Sequence, residues 1–321
     1  MTNAAVLDEE QRAERFTELV ERLSHQSVVK HFDAYADVAW DDPEYRIDPT
    51  DARWELESDQ GLGATEWYRS QPADVRARIG LHSIAANMKA GLQFESILKR
   101  GLLEYAFLLP DHSPEFRYAY HEVIEEAQHS LMFQEFVNRT GLDAPGLTWD
   151  LKFGARRVIG IARRFPALFF VFVLGGEDPI DHVQRTSLRS GRELHPLLER
   201  IMRIHVTEEA RHLSFARQYL RANVPKLGRR RRHAIAIQAP FILAQMASVM
   251  MRPPRTIVRE YRIPKEVIAE AYGPASPARD ATRQSLRKVR NLLIELGLVT
   301  PAAKRLWKAF GIWEEPAPDP R

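Results

Sequence analysis

The 321-residue chain contains no cysteine. This absence excludes a disulfide framework, thiolate zinc sites, cysteine-ligated iron–sulfur clusters and a cysteine nucleophile. Any metal that the chain binds must therefore be held by carboxylate oxygen and imidazole nitrogen. The first residues, MTNAAVLDEEQRAERF, also lack the basic and apolar pattern of a secretory leader, so we expect a cytoplasmic protein.

The sequence also has little excess of either positive or negative charge, and it has few long apolar runs. The net charge is only +3, and the one dense basic run, at 226–233, lacks the spaced aromatic residues on which nucleic-acid bases stack. We expect no nucleic-acid partner and interpret this run as a solvated helix start, with a phosphate or anionic-membrane contact as the alternative. The apolar stretches 165–176 and 234–251 are too short or too interrupted for a bilayer, which needs about 20 apolar residues. We expect buried helices there and no membrane partner.

Proline and glycine divide the chain into long segments of helical periodicity with almost no strand-like alternation. This pattern predicts an all-α fold. Four long helices are expected at 72–109, 113–140, 165–190 and 196–222. Short connections within each pair and a long link between the pairs, with room for a short helix, are typical of a ferritin-like four-helix bundle with a crossover.

Additional helices and segments are expected to flank this bundle. We predict a single domain over 1–321, with its bundle core at about 72–222. A first helix from Arg12 to about Leu23 begins an N-terminal wrap over 12–70, which is rich in tryptophan and tyrosine. We expect three C-terminal helices between 231 and 296, and we expect the proline-rich tail to fray. The three helices are expected at 231–251, 264–272 and 278–296, and the tail spans 314–321.

Two copies of one signature stand 83 residues apart, EEAQH at 125–129 and EEARH at 208–212. Each contains Glu-x-x-His, as Glu126 with His129 and Glu209 with His212, and residues three apart share a helical face. Two such helices, with one glutamate from each of two other helices, form a dinuclear carboxylate site. A single Glu-x-x-His is more often a surface pattern, but its repetition favours a metal site.

The first and third bundle helices should supply the two single glutamates. Glu95 and Glu104 point to opposite sides of the first helix. Glu95 lies on the apolar stripe, where a carboxylate must be paired or bound to metal, whereas Glu104 lies among polar residues. The same reasoning selects Glu177 on the third helix. The spacings agree, because Glu95 precedes Glu126 by 31 residues and Glu177 precedes Glu209 by 32.

One histidine breaks the symmetry of the repeat. His205 lies four residues before Glu209 and seven before His212, so all three share a stripe, whereas Glu122 occupies the corresponding place in the first copy. His205 is a candidate seventh ligand, with a hydrogen-bonded core histidine as the alternative. Glu122 is a candidate acceptor for a hydrogen bond from a ligand.

Other polar residues near the signatures are weaker candidates. The leading glutamates, Glu125 and Glu208, lie off the ligand stripe and are expected to support ligands or lie on the surface. Asp181 and His182 could supply supporting hydrogen bonds. No role is expected for two further histidines, His121 and His195. Mixed carboxylate and imidazole ligands with open positions suit iron first, or manganese, better than structural zinc.

With these residues in place, the chain resembles the AurF-like diiron N-oxygenases, the family of p-aminobenzoate N-oxygenase. The resemblance covers about 20–250 and includes the segment LSHQSVVKHFDAYADVAWDDPEY. It rests on Glu95, Glu126, His129, Glu177, His205, Glu209 and His212. It implies a four-glutamate, three-histidine site for two iron ions, O₂ as co-substrate, an external electron donor such as a ferredoxin or reductase, and a homodimer. The implied reaction is oxygenation of an aromatic amine nitrogen.

Other functions remain open at this point, because fold and metal do not fix a reaction. The same site would serve hydroxylation or desaturation of another substrate. An iron-binding or ferroxidase protein is a second alternative. Manganese-dependent peroxide disproportionation is a third and smaller one.

Overall fold

The computed structural model describes residues 9–59 and 61–315. Within them it is helical and contains no strand, so the predicted all-α fold is confirmed. The α-helices are α1 (Glu9–Val29), α2 (Glu66–Arg69), α3 (Ala73–Ala106), α4 (Pro114–Thr140), α5 (Trp149–Arg164), α6 (Pro166–Arg189), α7 (Pro196–Asn223), α8 (Arg229–Met251), α9 (Arg255–Glu260), α10 (Lys265–Tyr272), α11 (Pro277–Ser285), α12 (Arg287–Glu295) and α13 (Pro301–Ala309). Short 3₁₀ turns lie at Pro43–Tyr45, Ala52–Trp54, Gly61–Ala64 and Val224–Lys226.

Helices α3, α4, α6 and α7 form the bundle. Helix α3 packs along α4, and α6 packs along α7, each pair being joined by a short connection. The link from α4 to α6 is long and contains α5, which packs against both α3 and α6. The ferritin-like wiring with a long crossover is therefore confirmed, and the short helix expected in the crossover is a full helix of 16 residues.

Local signals in the sequence set the ends of α4. The Ser113 side chain accepts a hydrogen bond from the backbone N–H of Phe116, and Pro114 occupies the first helical position. Gly141 ends the helix at φ 65°, a left-handed conformation that glycine adopts without steric cost. These ends coincide with the predicted ones because capping is decided by neighbouring residues alone.

The N-terminal segment packs over the bundle as expected. Helix α1 lies against α4 and α7 and extends six residues beyond the predicted end at Leu23. Trp40 and Trp54 are buried, and each indole N–H donates to a backbone carbonyl oxygen, of Ala34 and Asp48 respectively. The buried indole rings and the hydrogen bonds of their N–H groups hold this irregular segment against the bundle.

The C-terminal region differs from expectation in three ways, the first of which is that the short helix α9 was not predicted. The helix predicted at 278–296 is broken at Leu286 into α11 and α12, and the guanidinium of the buried Arg290 donates to the carbonyl oxygen of Arg283 near the break. Helix α13 was not expected, although Thr300 caps it and Pro301 opens it, which is a local signal. Of the tail predicted to fray, 316–321 lie outside the described residues.

The two apolar stretches behave differently. Helix α6 is buried from Ala167 to Pro179, as predicted for nearly all of the stretch at 165–176. Helices α8 and α9, taken together as Arg229–Glu260, are long and apolar enough to cross a membrane by length and composition alone. No other helix within the described residues meets these two criteria. Only 33% of that apolar window is buried, so the helix expected to be buried is buried only in part. The basic residues at 229–231 are exposed at the start of α8, as predicted.

Candidate metal centre

The interior of the bundle holds a cluster of buried carboxylates and imidazoles. Helix α3 supplies one residue, α4 two, α6 one and α7 three. The seven side chains predicted as ligands are all at most 2% exposed: Glu95, Glu126, His129, Glu177, His205, Glu209 and His212. They belong to overlapping groups of three whose potential ligand atoms lie within 4.8 Å of one another. The arrangement therefore brings every predicted ligand to one place.

The two Glu-x-x-His pairs face each other across the cluster. Nδ1 of His212 lies 3.0 Å from Oε1 of Glu126 and 3.1 Å from Oε1 of Glu209. Nδ1 of His129 lies 3.3 Å from Oε2 of Glu126 and 3.5 Å from Oε1 of Glu209. The same nitrogen of each ring thus points at carboxylates from both α4 and α7, so each imidazole could share a metal ion with glutamates of both helices.

The outer nitrogens of these two rings explain the leading glutamates. Nε2 of His129 lies 2.9 Å from Oε2 of Glu208, and Nε2 of His212 lies 2.7 Å from Oε2 of Glu125. Each leading glutamate therefore holds the histidine of the other signature. With Nε2–H donating to a carboxylate, Nδ1 keeps its lone pair for a metal. Of the two roles expected for Glu125 and Glu208, the structure shows support and not exposure.

The fourth position of each signature has a separate task. Arg211 donates to Glu125 at 2.8 Å and to Glu208 at 3.4 Å, so one guanidinium bridges both supporting carboxylates. Gln128 instead binds the N-terminal segment, accepting from the N–H of Ala34 and donating to Asp33. The fourth residue of EEAQH therefore binds the N-terminal segment, whereas the fourth residue of EEARH binds the two carboxylates that support the centre.

His205 approaches the cluster with its other nitrogen. Nε2 lies 3.7 Å from Oε1 of both Glu95 and Glu209, while Nδ1 lies 2.9 Å from Oε1 of Gln184. A Nδ1–H donated to Gln184 leaves Nε2 free to bind a metal. Sequence reasoning missed Gln184, although its place on α6, seven residues or two turns after Glu177, was a usable signal.

Glu122 lies nearer the centre than its expected supporting role implied. It forms a group with Glu126 and His212 in which the potential ligand atoms lie within 4.8 Å of one another. Burial raises its pKa to about 8. The pseudo-symmetry of the repeat therefore places a carboxylate on α4 where α7 has His205.

Protonation in the cluster reflects a shortage of positive charge. Burial and the neighbouring Glu126 raise the pKa of Glu95, and burial with Glu209 raises that of Glu177. Burial alone would lower the pKa of His129, but hydrogen bonds to Glu126 and Glu208 raise it to about 9. In the same way burial opposes ionisation of Glu125, yet His212 and Arg211 lower its pKa to about 2. Protons thus occupy a region where carboxylates outnumber cations.

The donor set fits metal ions on an independent ground. Among the described residues, Oε2 of Glu95, Glu177 and Glu209 is buried and has no hydrogen-bond partner. A buried polar atom without a partner costs about 1–3 kcal/mol, and more when the group is charged. Two divalent cations would balance four glutamates and satisfy these oxygens. Oxygen and imidazole donors suit iron or manganese.

The remaining candidates lie apart from the cluster. Asp181 is buried and paired with Arg185 at 2.7 Å and Lys288 at 3.5 Å, which joins α6 to α12. Neither it nor His182 bonds to a predicted ligand within the described residues, so their expected supporting role is not found. His195, for which no role was expected, is buried, caps α7 and stacks on Trp54 with ring centroids 4.2 Å apart.

A cavity of about 240 Å³ reaches the cluster from one side. Three predicted ligands, Glu95, Glu177 and His205, form its inner end. Its walls come from α3, Phe133 of α4, α6, α7, the end of α8 and the N-terminal segment around Trp54. The centre therefore opens onto a space large enough for a small molecule.

Fold and site together define a class of protein, a ferritin-like helical bundle with an interior carboxylate–histidine centre suited to two metal ions. A model of the family P-aminobenzoate N-oxygenase AurF matches residues 13–297. The chain belongs to this family, whose members are diiron-dependent oxygenases, and this membership supports an oxidoreductase.

Similar curated proteins extend the comparison without adding an activity. The chain is 40% identical over 302 residues to proteins described as uncharacterized from Mycobacterium tuberculosis (strains CDC 1551 / Oshkosh and ATCC 25618 / H37Rv) and from Mycobacterium bovis (strain ATCC BAA-935 / AF2122/97). Each alignment covers 94% of this chain and 89% of the relative. No solved structure matches the chain.

Proposed function

We propose that the protein is a diiron monooxygenase that uses O₂ to oxidise a small organic substrate, most specifically the nitrogen of an aryl amine. One observation carries this proposal: a buried centre of four glutamates and three histidines forms the inner end of an apolar cavity. The family supports the oxygenase class. The aryl amine rests on the description of that family alone.

The proposed ligands of the two iron ions are Glu95, Glu126, His129, Glu177, His205, Glu209 and His212. When bound, the iron pair would supply the activation of O₂ and the two-electron chemistry that no side chain of this protein can perform. The reaction also needs two electrons from outside, for which we propose a ferredoxin or a reductase. A cytoplasmic location and a homodimer are part of the same proposal.

The protein's own residues hold and insulate the centre. Glu208, Glu125 and Gln184 each fix one histidine in the tautomer that presents a lone pair to the metal. The buried glutamate oxygens without hydrogen-bond partners, Oε2 of Glu95, Glu177 and Glu209, would be available to bind the iron ions. Phe133, whose ring lies 5.2 Å from that of His205, helps to exclude water from the inner end of the cavity.

A different oxidation at the same site is a second candidate. The walls of the cavity are mainly apolar, so hydroxylation or desaturation of an aliphatic substrate would find a suitable surface as well. The same cavity argues against an iron-storage or ferroxidase protein, which needs a path for hydrated ions and has no use for an apolar chamber.

Metal analysis and single-turnover oxidation test the proposal. We expect about two iron ions per chain, consumption of O₂ by the chemically reduced protein, and a hydroxylamino, nitroso or nitro product from an aryl amine. Two iron ions with oxidation of aliphatic compounds only would support the second candidate. Iron bound in large excess over two per chain, without an organic product, would contradict both.

A further inference from the structure

The two ends of the metal centre differ in their surroundings. The end with His205 lies at the cavity, which Glu95 and Glu177 also line. The far end is formed by His212, whose Nδ1 lies 3.0 Å from Oε1 of Glu126. Neither of these two side chains is among the described residues that line the cavity. The far end also contains a further carboxylate.

This carboxylate belongs to Glu122. Glu122, Glu126 and His212 form a group in which one potential ligand atom of each residue lies within 4.8 Å of the others. The side chain of Glu122 is 1% exposed, and its Oε2 is buried without a hydrogen-bond partner. A buried carboxylate without a partner is costly unless a cation balances it. Three potential donors from α4 and α7 therefore converge at the far end.

The imidazole of His212 has no N–H left for Glu122. Its Nε2 lies 2.7 Å from Oε2 of Glu125, and its Nδ1 faces Glu126 at 3.0 Å and Glu209 at 3.1 Å. Glu122 was expected to accept a hydrogen bond from a ligand, but the ligand nearest to it directs both nitrogens at other carboxylates. Glu122 thus does not support His212 in the way that Glu125 does.

The repeat gives Glu122 the position that His205 has in the second half. Each lies four residues before the glutamate of a Glu-x-x-His pair. The nitrogen of His205 that faces away from the carboxylates binds Gln184, seven residues after the single glutamate of α6. The residue at the same spacing on α3 is Leu102, which is buried and has no polar side-chain group. A carboxylate bound to metal needs no such partner, so both halves place a metal donor at this position.

We propose that Glu122 is an eighth ligand of the centre and binds the metal ion that Glu126 and His212 would hold. This inference rests on the proposed function. It assigns one additional donor to each ion, His205 beside the cavity and Glu122 at the far end. Because Glu122 does not line the cavity, it would complete the coordination of the far ion without obstructing a substrate.

The variant Glu122→Gln tests the assignment through metal binding alone. The amide keeps the shape of the side chain but lacks its charge. Loss of a residue that merely supports a ligand already weakens metal binding about 10–100-fold, so we expect at least tenfold weaker binding of one of the two Fe(II) ions. Competition with a chelator under argon measures this affinity in the full-length protein, and metal analysis after dialysis counts the ions that remain.

Glu115→Gln is the matched control for this experiment. It makes the same substitution on α4, at a partly exposed position outside every group of potential metal ligands. We expect it to bind both ions as the wild type does. Wild-type affinity for both ions in Glu122→Gln would overturn the proposal.

The stability of the metal-free protein separates a ligand from a residue with only a structural role. Replacement of a structural carboxylate breaks its hydrogen bonds and lowers stability, whereas Oε2 of Glu122 has none to lose. We therefore expect metal-free Glu122→Gln to unfold at no lower a urea concentration than the metal-free wild type. A clear loss of metal-free stability would assign Glu122 a structural role and overturn the proposal.

Electron paramagnetic resonance provides a spectroscopic readout at the far end. Manganese(II) suits the same oxygen and imidazole donors as iron. We expect the wild type loaded with Mn(II) to show the spectrum of two coupled ions, and Glu122→Gln at the same Mn(II) concentration to show that of an isolated ion. A coupled pair of unchanged intensity in Glu122→Gln would contradict the inference.

These measurements also separate the inference from the proposed function. Two iron ions whose binding depends on Glu122, without oxidation of any organic substrate by the reduced protein and O₂, would leave the eighth ligand standing and contradict the oxygenase. Oxidation of an aryl amine by Glu122→Gln with the iron content and iron affinity of the wild type would support the oxygenase and overturn the eighth ligand.

Discussion

His205 distinguishes the second half of the centre from the first. Its Nε2 faces Glu95 and Glu209, and Gln184 holds its Nδ1. The sequence located this histidine by spacing but left open whether it was a ligand or a core histidine. The direction of its ring now favours ligation, because a histidine with only a packing role would not need its second nitrogen aimed at carboxylates.

Removal of this ring tests its assignment. We expect His205→Ala to retain the helical fold but to bind iron at least tenfold more weakly and to lose turnover, because one of the seven donors is missing. Inductively coupled plasma mass spectrometry after dialysis, with circular dichroism, measures both properties. His112→Ala, at an exposed position between α3 and α4, is the control. Full iron content and wild-type turnover in His205→Ala would refute the assignment.

The crossed glutamates permit a second test at this scale. Glu125→Ala leaves Nε2 of His212 without its carboxylate, so the tautomer and orientation of the ring are less well fixed. Loss of such a partner typically reduces metal affinity about 10–100-fold. We expect a decrease in this range for Glu125→Ala and for Glu208→Ala, measured by competition with a chelator. Glu104→Ala, on the side of α3 away from the cluster, should bind iron as the wild type does.

At the scale of the elements, close packing of helices keeps the ligands together. Helices α3 and α6 carry the two single glutamates, and they meet where Phe94 lies over Gly176. A Cβ atom at Gly176 would come within 2.1 Å of the Phe94 ring. Gly176 directly precedes Glu177, so this contact sets the distance between the helices at the metal centre.

A methyl group at this contact should disturb both stability and metal binding. We expect Gly176→Ala to lower the free energy of unfolding by about 1–3 kcal/mol, as overpacking typically does. Urea denaturation of the metal-free protein measures the change. Gly154→Ala on α5, where an added Cβ meets nothing within 4 Å, should instead be neutral or slightly stabilising. A variant Gly176→Ala as stable as the wild type would show that the ring of Phe94 gives way freely.

For the whole molecule, metal, protons and stability are linked. In the metal-free protein, burial and neighbouring carboxylates raise the pKa of Glu95 and Glu177 above their ordinary values. A carboxyl group with a raised pKa binds its proton more tightly when folded. Its contribution to stability is therefore present at low pH and decreases as the pH rises from the unfolded towards the folded pKa. Metal ions would replace these protons and compensate the charge of the carboxylates, so the loss of stability at higher pH would no longer occur.

Metal binding should accordingly release protons and become tighter as the pH rises. Calorimetric titration with Fe(II) under argon, in two buffers of different ionisation enthalpy, gives the number released. Loading should also raise the melting temperature, since a ligand present at about 1,000 times its Kd adds about 4.1 kcal/mol. Glu95→Gln should release fewer protons than the wild type. Metal binding without any proton release would contradict the protonation described here.

Much of this architecture follows from local sequence. Capping at Ser113 and the stop at Gly141 bounded α4, and the two Glu-x-x-His motifs located four of the proposed ligands because helical spacing is a local property. Glu95 and Glu177 followed from burial on apolar stripes. The break at Leu286 and the incomplete burial of α8 could not be predicted from the sequence. Both depend on contacts with neighbouring helices, whereas the helical periodicity of the sequence is continuous in both places.

The sequence by itself determined the four bundle helices, their wiring and the positions of the seven candidate ligands, since periodicity and spacing act along the chain. Only the tertiary structure decided that Glu125 and Glu208 each hold the other signature's histidine and that His205 presents Nε2 where its counterparts present Nδ1. These features depend on how separate helices meet across the bundle, and no spacing within one helix specifies that meeting.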